Sequence, residues 1–80
     1  MSRLALVTGG TRGIGKAISI TLKRSGYRVV AGYASNDQKA LDFQEINDIP
    51  IYKFDVADFD ACKAAIEKIH LDMGCDISVL

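Results

Sequence analysis

The 80-residue sequence has little of what several classes of protein need. Its 10 basic and 10 acidic residues give a formal net charge of zero, and the basic residues are scattered, so a nucleic-acid partner is not supported. Ser2 and Arg3 precede an apolar run of only four residues, Leu4 to Val7. Because this run is too short for a signal peptide or a membrane span, we predict a cytoplasmic protein with no membrane partner.

Residues that commonly hold metals or transfer protons are also scarce, with 2 cysteines and 1 histidine. Cys62 and Cys75 lack the spacing of a metal site. We expect Cys62 to lie in the core on a helix and Cys75 to be a reduced loop thiol. His70 has no carboxylate or cysteine partner at a useful spacing, so we interpret it as a surface residue near the end of a helix. The sequence therefore predicts no metal site.

One glycine-rich segment carries most of the information, Thr8-Gly9-Gly10-Thr11-Arg12-Gly13-Ile14-Gly15. It follows the strand-like run Leu4 to Val7 and precedes a predicted helix that stops at Gly26. Glycines at such a corner let the backbone approach a ligand, and the first N–H groups of the helix suit a pyrophosphate. The alternative is an ordinary glycine-rich turn, but strand, turn and helix follow in the order that a dinucleotide site requires. The helix is predicted from residues at helical spacing: Ile14, Ala17, Ile18, Thr21 and Ser25.

The rest of the chain repeats this alternation of strand and helix. Asn36 or Asp37 can cap the second helix, whose apolar face is thin (Ala40, Phe43 and possibly Ile46). The third helix has an apolar stripe of Phe59, Cys62, Ile66, Ile69 and Met73, and Gly74 stops it. The predicted later elements are strands at Arg28 to Tyr33, Ile51 to Asp55 and Asp76 to Leu80, and a third helix from about Phe59 to Asp72.

Strands that alternate with helices predict an α/β fold, a Rossmann-type doubly wound parallel sheet with three βαβ steps. The expected strand order is 3-2-1-4. We interpret residues 1–80 as the amino-terminal part of a single dinucleotide-binding domain. Because the last strand would stop at Leu80, we expect an incomplete sheet with an open apolar edge. We also expect much of the first and fourth strands to be exposed, and hence a tendency to associate.

The glycine spacing, T-G-x-x-x-G-x-G, resembles the cofactor motif of the short-chain dehydrogenase/reductase family. More narrowly, the chain resembles the acetoacetyl-CoA reductases, which reduce acetoacetyl-CoA to 3-hydroxybutyryl-CoA for polyhydroxyalkanoate synthesis. The related 3-oxoacyl-acyl-carrier-protein reductases share the glycine motif but resemble the later segments less. The closer match rests on Gly26-Tyr27-Arg28-Val29, Tyr33-Ala34, Asn36-Asp37, Ile49-Pro50-Ile51-Tyr52-Lys53-Phe54-Asp55-Val56 and Asp60-Ala61-Cys62.

The end of the second strand bears on the choice of cofactor. Enzymes that prefer NAD place a carboxylate there for the ribose 2′-hydroxyl, whereas this chain has no acid between Tyr33 and Asp37. The resemblance implies a 2′-phosphate pocket of Arg12, Ala34 and Ser35, and hence NADPH. The alternative is that Arg12 is a solvated loop residue and Asp37 only a helix cap. The glycine motif contributes the remaining expected contacts to the dinucleotide: Gly9, Thr11, Gly13, Ile14 and Gly15.

Asp55 and Val56 are the other expected cofactor contacts. In the family, this position holds the adenine ring through a carboxylate and the following backbone amide. The carboxyl ends of strands are where open α/β sheets bind ligands. The alternative is that Asp55 only caps a turn.

We predict no catalytic residue in the chain. The residues four places after Tyr27, Tyr33 and Tyr52 are Ala31, Asp37 and Val56, so the family's Tyr-x-x-x-Lys pair is absent, and its catalytic Asn, Ser, Tyr and Lys would follow Leu80. An acyl-CoA substrate and the family's homotetramer interface would likewise need a longer parent chain. We favour the amino-terminal part of an acetoacetyl-CoA reductase. The alternatives are a related reductase with another carbonyl substrate and a non-enzymatic nucleotide-binding module.

Overall fold

A computed structural model describes residues 4–11, 13–74 and 77–79. Strands and helices alternate along these residues, which confirms the predicted α/β class. The elements are β1 (Leu4–Thr8), α1 (Gly13–Arg24), β2 (Arg28–Tyr33), α2 (Asp37–Asn47), β3 (Ile51–Lys53), α3 (Phe59–Met73) and β4 (Ile77–Val79).

The strands form one sheet in the order β3-β2-β1-β4, and every pair is parallel. In β1 and β2, the register runs from Leu4 opposite Arg28 to Thr8 opposite Gly32. At the other side of β2, Tyr33 lies opposite Lys53. Because the strands are parallel, β1, β2 and β3 all end at one side of the sheet, which we call the carboxyl edge.

Helices cover both faces of the sheet. On one face, α3 packs on a buried cluster that includes Leu6, Val30 and Ile69. On the other face, α1 and α2 pack on a cluster that includes Val7 and Phe43. The expectation that much of the first strand would be exposed is wrong, since residues 4–7 are each 6% exposed or less. They are buried because β1 lies between β2 and β4 with helices above and below it.

Helix α1 forms where it was predicted, but the row of residues that predicted it lies on the exposed side. Ile14 is 81% exposed and Ile18 is 41% exposed. The side that faces the sheet instead carries the buried Ser19 and the partly buried Ile20 and Leu22. The apolar spacing therefore identifies the helix without identifying its buried face.

The amino-terminal cap of α2 forms at Asn36, one of the two residues that the sequence indicates. Asn36 is the N-cap, and its side-chain oxygen accepts a hydrogen bond from the Lys39 N–H at 3.2 Å. At the other end, the Lys23 ammonium group on α1 donates to the carbonyl oxygens of Asn47 and Asp48 at 2.5 and 2.9 Å. This contact satisfies carbonyl groups that have no partner within α2 and joins the two helices.

Three expectations about the apolar faces and β3 need correction. Ala40 and Phe43 are buried on α2, but Ile46 is 79% exposed. On α3, Phe59 begins the helix and is 78% exposed, so it does not belong to the buried stripe. The third strand ends at Lys53, two residues before Asp55, because the chain turns there: the Asp58 N–H donates to the Asp55 carbonyl at 3.0 Å.

Candidate functional site

The turn between β1 and α1 depends on missing side chains. Gly13 has a φ of 60°, in the left-handed region that other residues rarely adopt. At Gly15, an added Cβ would collide with the carbonyl group of Gly9, whose carbon would lie 2.7 Å away. The Gly10 N–H donates to the Gly32 carbonyl oxygen at 3.1 Å, which ties the turn to β2. The first turn of α1 is thus pressed directly against the backbone that follows β1.

Ser19 on α1 contacts the backbone of the glycine-rich turn from the buried side of the helix. Its side chain is fully buried, and its hydroxyl lies 3.2 Å from the Gly10 carbonyl oxygen and 2.9 Å from the Gly15 carbonyl oxygen, to which it donates. The glycine motif and the apolar spacing did not identify this residue. A signal was available, because Ser19 stands one helical turn after Gly15 and so shares the side on which the helix meets the backbone.

The amino-terminal end of α1 suits an anion. The first N–H groups of an α-helix have no acceptor within the helix, and the helix dipole is positive at that end. No acidic residue lies in the first turn of α1, and the basic residues Lys23 and Arg24 lie in its last turn. No carboxylate of the helix itself therefore competes with a bound anion.

A cleft of about 160 Å³ opens at the carboxyl edge of the sheet. It brings together five of the predicted site residues, Gly9 and Thr11 from the turn, Ala34 and Ser35 after β2, and Val56 after β3. Three further residues of the cleft were missed, although all lie where parallel strands end: Gly32, Tyr33 and Phe54.

Other predicted residues lie beside this cleft. Gly13 lines a neighbouring groove between α1 and α2 that also contains Thr11, Lys16 and Lys39. Ile14 is the second residue of α1, and its side chain is exposed. Arg12, the predicted contact to a 2′-phosphate, lies outside the described residues, as does Cys75. The two lysines of the groove are further cations that the sequence motifs did not single out.

Asp55 adopts the turn-capping arrangement that was the alternative to a ligand contact. Its Oδ1 atom accepts a hydrogen bond from the Ala57 N–H at 2.9 Å, and the residue does not line the cleft. The neighbouring Val56 does line it and is 61% exposed. The Cys62 thiol on α3, partly buried against the core, lies 3.5 Å from the carbonyl oxygens of Asp55 and Val56. These contacts hold the segment after β3 against the start of α3.

An ion pair joins α2 to β3 next to the cleft. The Lys53 ammonium group lies 3.0 Å from Oδ1 of Asp37 and 3.4 Å from Oδ2. Through this hydrogen bond and its charge, the Asp37 carboxylate raises the pKa of Lys53. The first acid after β2 is therefore already paired with a cation.

Within residues 4–11, 13–74 and 77–79, no group of three or more His, Cys, Asp and Glu side chains could hold a metal ion. His70 is exposed in the last turn of α3. Among the same residues, no helix is both long and apolar enough to cross a membrane.

A family model of short chain dehydrogenases matches residues 3–80. The chain belongs to this family. An acetoacetyl-CoA reductase of Rhizobium meliloti (strain 1021) is 51% identical over 74 residues, which are 92% of this chain and 31% of the relative. A 3-oxoacyl-[acyl-carrier-protein] reductase of Staphylococcus aureus (strain Mu50) is 38% identical over 79 residues, 92% of this chain and 32% of the relative.

The chain thus spans about a third of the length of these curated relatives. The fold agrees with the assignment. The crystal structure of a short chain dehydrogenase from Bacillus anthracis superposes with a TM-score of 0.84 at 23% identity, over 96% of this chain and 34% of the other. This similarity supports the fold alone.

Short-chain dehydrogenases and the related reductases bind nicotinamide cofactors. The residues at the carboxyl edge fit the adenosine half of such a group. The start of α1 offers N–H groups free of competing acids, as a phosphate requires. The cleft combines the apolar side chains of Phe54 and Val56 with the polar side chains of Thr11 and Ser35.

Proposed function

We propose that this chain binds NADPH at the carboxyl edge and forms the cofactor-binding part of an acetoacetyl-CoA reductase. One observation carries the proposal: the cleft joins Gly9 and Thr11 of the glycine turn to Ala34 and Ser35, at the end of a strand without a carboxylate. In dinucleotide-binding folds, the residues after this strand meet the ribose that carries the 2′-substituent of the cofactor.

The preference for the 2′-phosphate follows from charge. An acid at the end of β2 would accept a hydrogen bond from a ribose 2′-hydroxyl and repel a phosphate. Asp37 begins α2 and does not line the cleft. In the sequence, Arg12 stands between Thr11, which lines the cleft, and Gly13, which lines the adjoining groove. A guanidinium group from this position can make two parallel hydrogen bonds to a phosphate.

Replacing Arg12 with alanine tests this part of the proposal. A lost hydrogen bond to a charged group is worth about 2 kcal/mol, so Arg12→Ala should weaken NADPH binding by about twentyfold to thirtyfold. NADH lacks the phosphate, so its affinity should change by less than about twofold. Dissociation constants from fluorescence titration give both values. Arg24→Ala is the matched control, because Arg24 lies in the last turn of α1. Equal losses for the two cofactors would contradict the proposal.

Within the same site, we propose that Asp55 accepts a hydrogen bond from the amino group of the adenine ring and that the backbone N–H of Val56 donates one to the ring. Val56 lines the cleft, which supports its part. Since Oδ1 of Asp55 accepts from the Ala57 N–H, the adenine would use Oδ2. The expected pyrophosphate contacts are the N–H groups of the turn and of the first turn of α1, at Gly13, Ile14 and Gly15.

The proposed reaction is the reduction of a 3-oxoacyl-CoA to a 3-hydroxyacyl-CoA, as in polyhydroxyalkanoate metabolism. The 51% identity to an acetoacetyl-CoA reductase supports it over the acyl-carrier-protein reductases, which share 38%. We assign no catalytic role within the 80 residues, because no tyrosine here has a lysine four places later to lower its pKa. The chain would supply part of the hydride donor's binding site, and other residues the acid at the carbonyl oxygen.

NADPH oxidation measures the substrate preference. The protein as the cell makes it should oxidise NADPH faster with acetoacetyl-CoA than with the acyl-carrier-protein thioester. Residues 1–80 prepared alone should give no turnover with either substrate. A preference for the carrier-protein substrate would favour the 3-oxoacyl-acyl-carrier-protein reductase alternative. Turnover by residues 1–80 alone would refute the assignment of no catalytic residue.

A further inference from the structure

The ion pair between Lys53 and Asp37 lies where the chain would otherwise present a negative charge to a phosphate. Asp37 is the first acid after β2 and the first residue of α2. Two residues before it, Ser35 lines the cleft. The Lys53 ammonium group approaches both oxygens of this carboxylate, at 3.0 and 3.4 Å. Both side chains are more than half exposed, so the pair contributes little to stability.

The backbone places this pair at the rim of the cleft. Lys53 ends β3 directly opposite Tyr33, which ends β2. The residue that follows each of them, Phe54 and Ala34, lines the cleft. Between Ala34 and α2, the Asn36 side chain caps the helix at the Lys39 N–H. Ala34 and Ser35 lie in the short connection between β2 and α2. The ion pair links the end of this connection, at Asp37, to the end of β3.

Charge gives this arrangement a consequence for binding. Two unit charges 4 Å apart in water interact by about 1 kcal/mol, and the interaction extends over about 8 Å at physiological salt. An unpaired carboxylate beside Ser35 would repel a phosphate at this rim and leave a neutral hydroxyl unaffected. Lys53 is charged at neutral pH like any exposed lysine, and the Asp37 carboxylate raises its pKa further. At 3.0 Å, its ammonium group offsets the charge of the carboxylate.

We propose that Lys53 is a residue that determines cofactor specificity: by neutralising Asp37, it allows the rim of the cleft to accept a 2′-phosphate. This inference rests on the proposed function of the site. It assigns to β3 a part in the choice between NADPH and NADH. Lys53 does so through Asp37, as a positioned counter-charge, and without touching the cofactor.

The test compares Lys53→Gln with the unchanged protein, in the form that the cell makes. At low ionic strength, Lys53→Gln should weaken NADPH binding about threefold and leave NADH binding unchanged. The difference should vanish in about 0.5 M salt, where charges at this distance are screened. Lys68→Gln is the matched control, because it removes the same charge from an exposed position on α3. Equal losses for both cofactors, or the same loss in the control, would overturn the inference.

A second variant separates neutralisation from direct contact. If Lys53 acts through Asp37, the double variant Lys53→Gln with Asp37→Asn should recover the NADPH affinity of the unchanged protein. If the double variant binds NADPH as weakly as Lys53→Gln alone, the inference is wrong and the lysine meets the phosphate itself. If the unchanged protein binds neither NADPH nor NADH, the proposed function fails and the inference fails with it. Binding of NADPH with no effect of Lys53→Gln overturns only the inference.

Discussion

Helices α1 and α3 cover opposite faces of the same sheet in opposite ways. Helix α3 presents apolar side chains, with Ile69 fully buried and Ile66 and Met73 partly buried around it. Helix α1 begins with backbone against backbone, at Gly15, and continues with the hydroxyl of Ser19. On the α3 side the contact depends on the presence of large side chains. At the start of α1 it depends on the absence of a side chain at Gly15, and the later part of α1 adds the apolar residues Ile20 and Leu22.

The two kinds of contact suit the different parts that α1 and α3 play in the structure. An apolar helix can shift slightly on a sheet while its side chains repack, whereas a backbone contact fixes the helix at one place. The start of α1 must stay close to the turn after β1 if its N–H groups are to meet a phosphate. Helix α3 starts at Phe59, and the Asp58 side chain caps its first turn by accepting a hydrogen bond from the Ala61 N–H at 3.1 Å. The backbone contact thus fixes the position of the first turn of α1 at the proposed site, and α3 supplies much of the core.

The most direct test of this difference between the two helices is to add one methyl group at the backbone contact of α1. Gly15→Ala would place a Cβ 2.7 Å from the carbonyl carbon of Gly9, so the backbone of one of the two segments would have to shift. We expect the free energy of unfolding to fall by about 4 kcal/mol, as for severe overpacking. Urea-induced unfolding followed by circular dichroism measures the loss.

Gly13→Ala is the matched control for this substitution. An added Cβ at Gly13 has no atom within 4 Å, so only the left-handed φ of 60° opposes it. The expected loss is about 1 kcal/mol. If both variants lost the same amount, backbone conformation rather than close approach would limit the turn.

The same contrast explains which helix the sequence describes well. In α3, the stripe of Cys62, Ile66, Ile69 and Met73 points to the core, because apolar burial is what holds this helix. In α1, the row containing Ile14 and Ile18 is exposed, because close approach at Gly15 decides which side meets the sheet. A period of apolar residues predicts a buried face only where side chains make the contact.

Part of the candidate site could be predicted from the sequence, and the part that could not depends on contacts between distant segments. Glycine spacing is a local signal and pointed to Gly9 and Thr11, whereas the resemblance to the family implied Ala34, Ser35 and Val56. The cleft brings these five residues together. The pairing of Lys53 with Asp37 depends on the register of β2 and β3, which no local pattern specifies. The short β3 also follows from hydrogen bonds within the Asp55 turn that strand propensity does not predict.

Loss of a buried side chain from α3 should destabilise the protein, just as an added side chain at Gly15 should on the α1 side. Ile69 is fully buried, so Ile69→Ala should leave a cavity and lower the free energy of unfolding by about 3 kcal/mol. Leu71, on the same helix and 80% exposed, is the matched control, and Leu71→Ala should change stability by less than about 0.5 kcal/mol. Urea unfolding of both variants gives the comparison.

Since α3 lies on the face opposite α1 and outside the cleft, Ile69→Ala should also leave the NADPH affinity of the folded protein within about twofold. A large loss of affinity in that variant would mean that the apolar face of α3, as well as the glycine contact of α1, sets the geometry of the carboxyl edge.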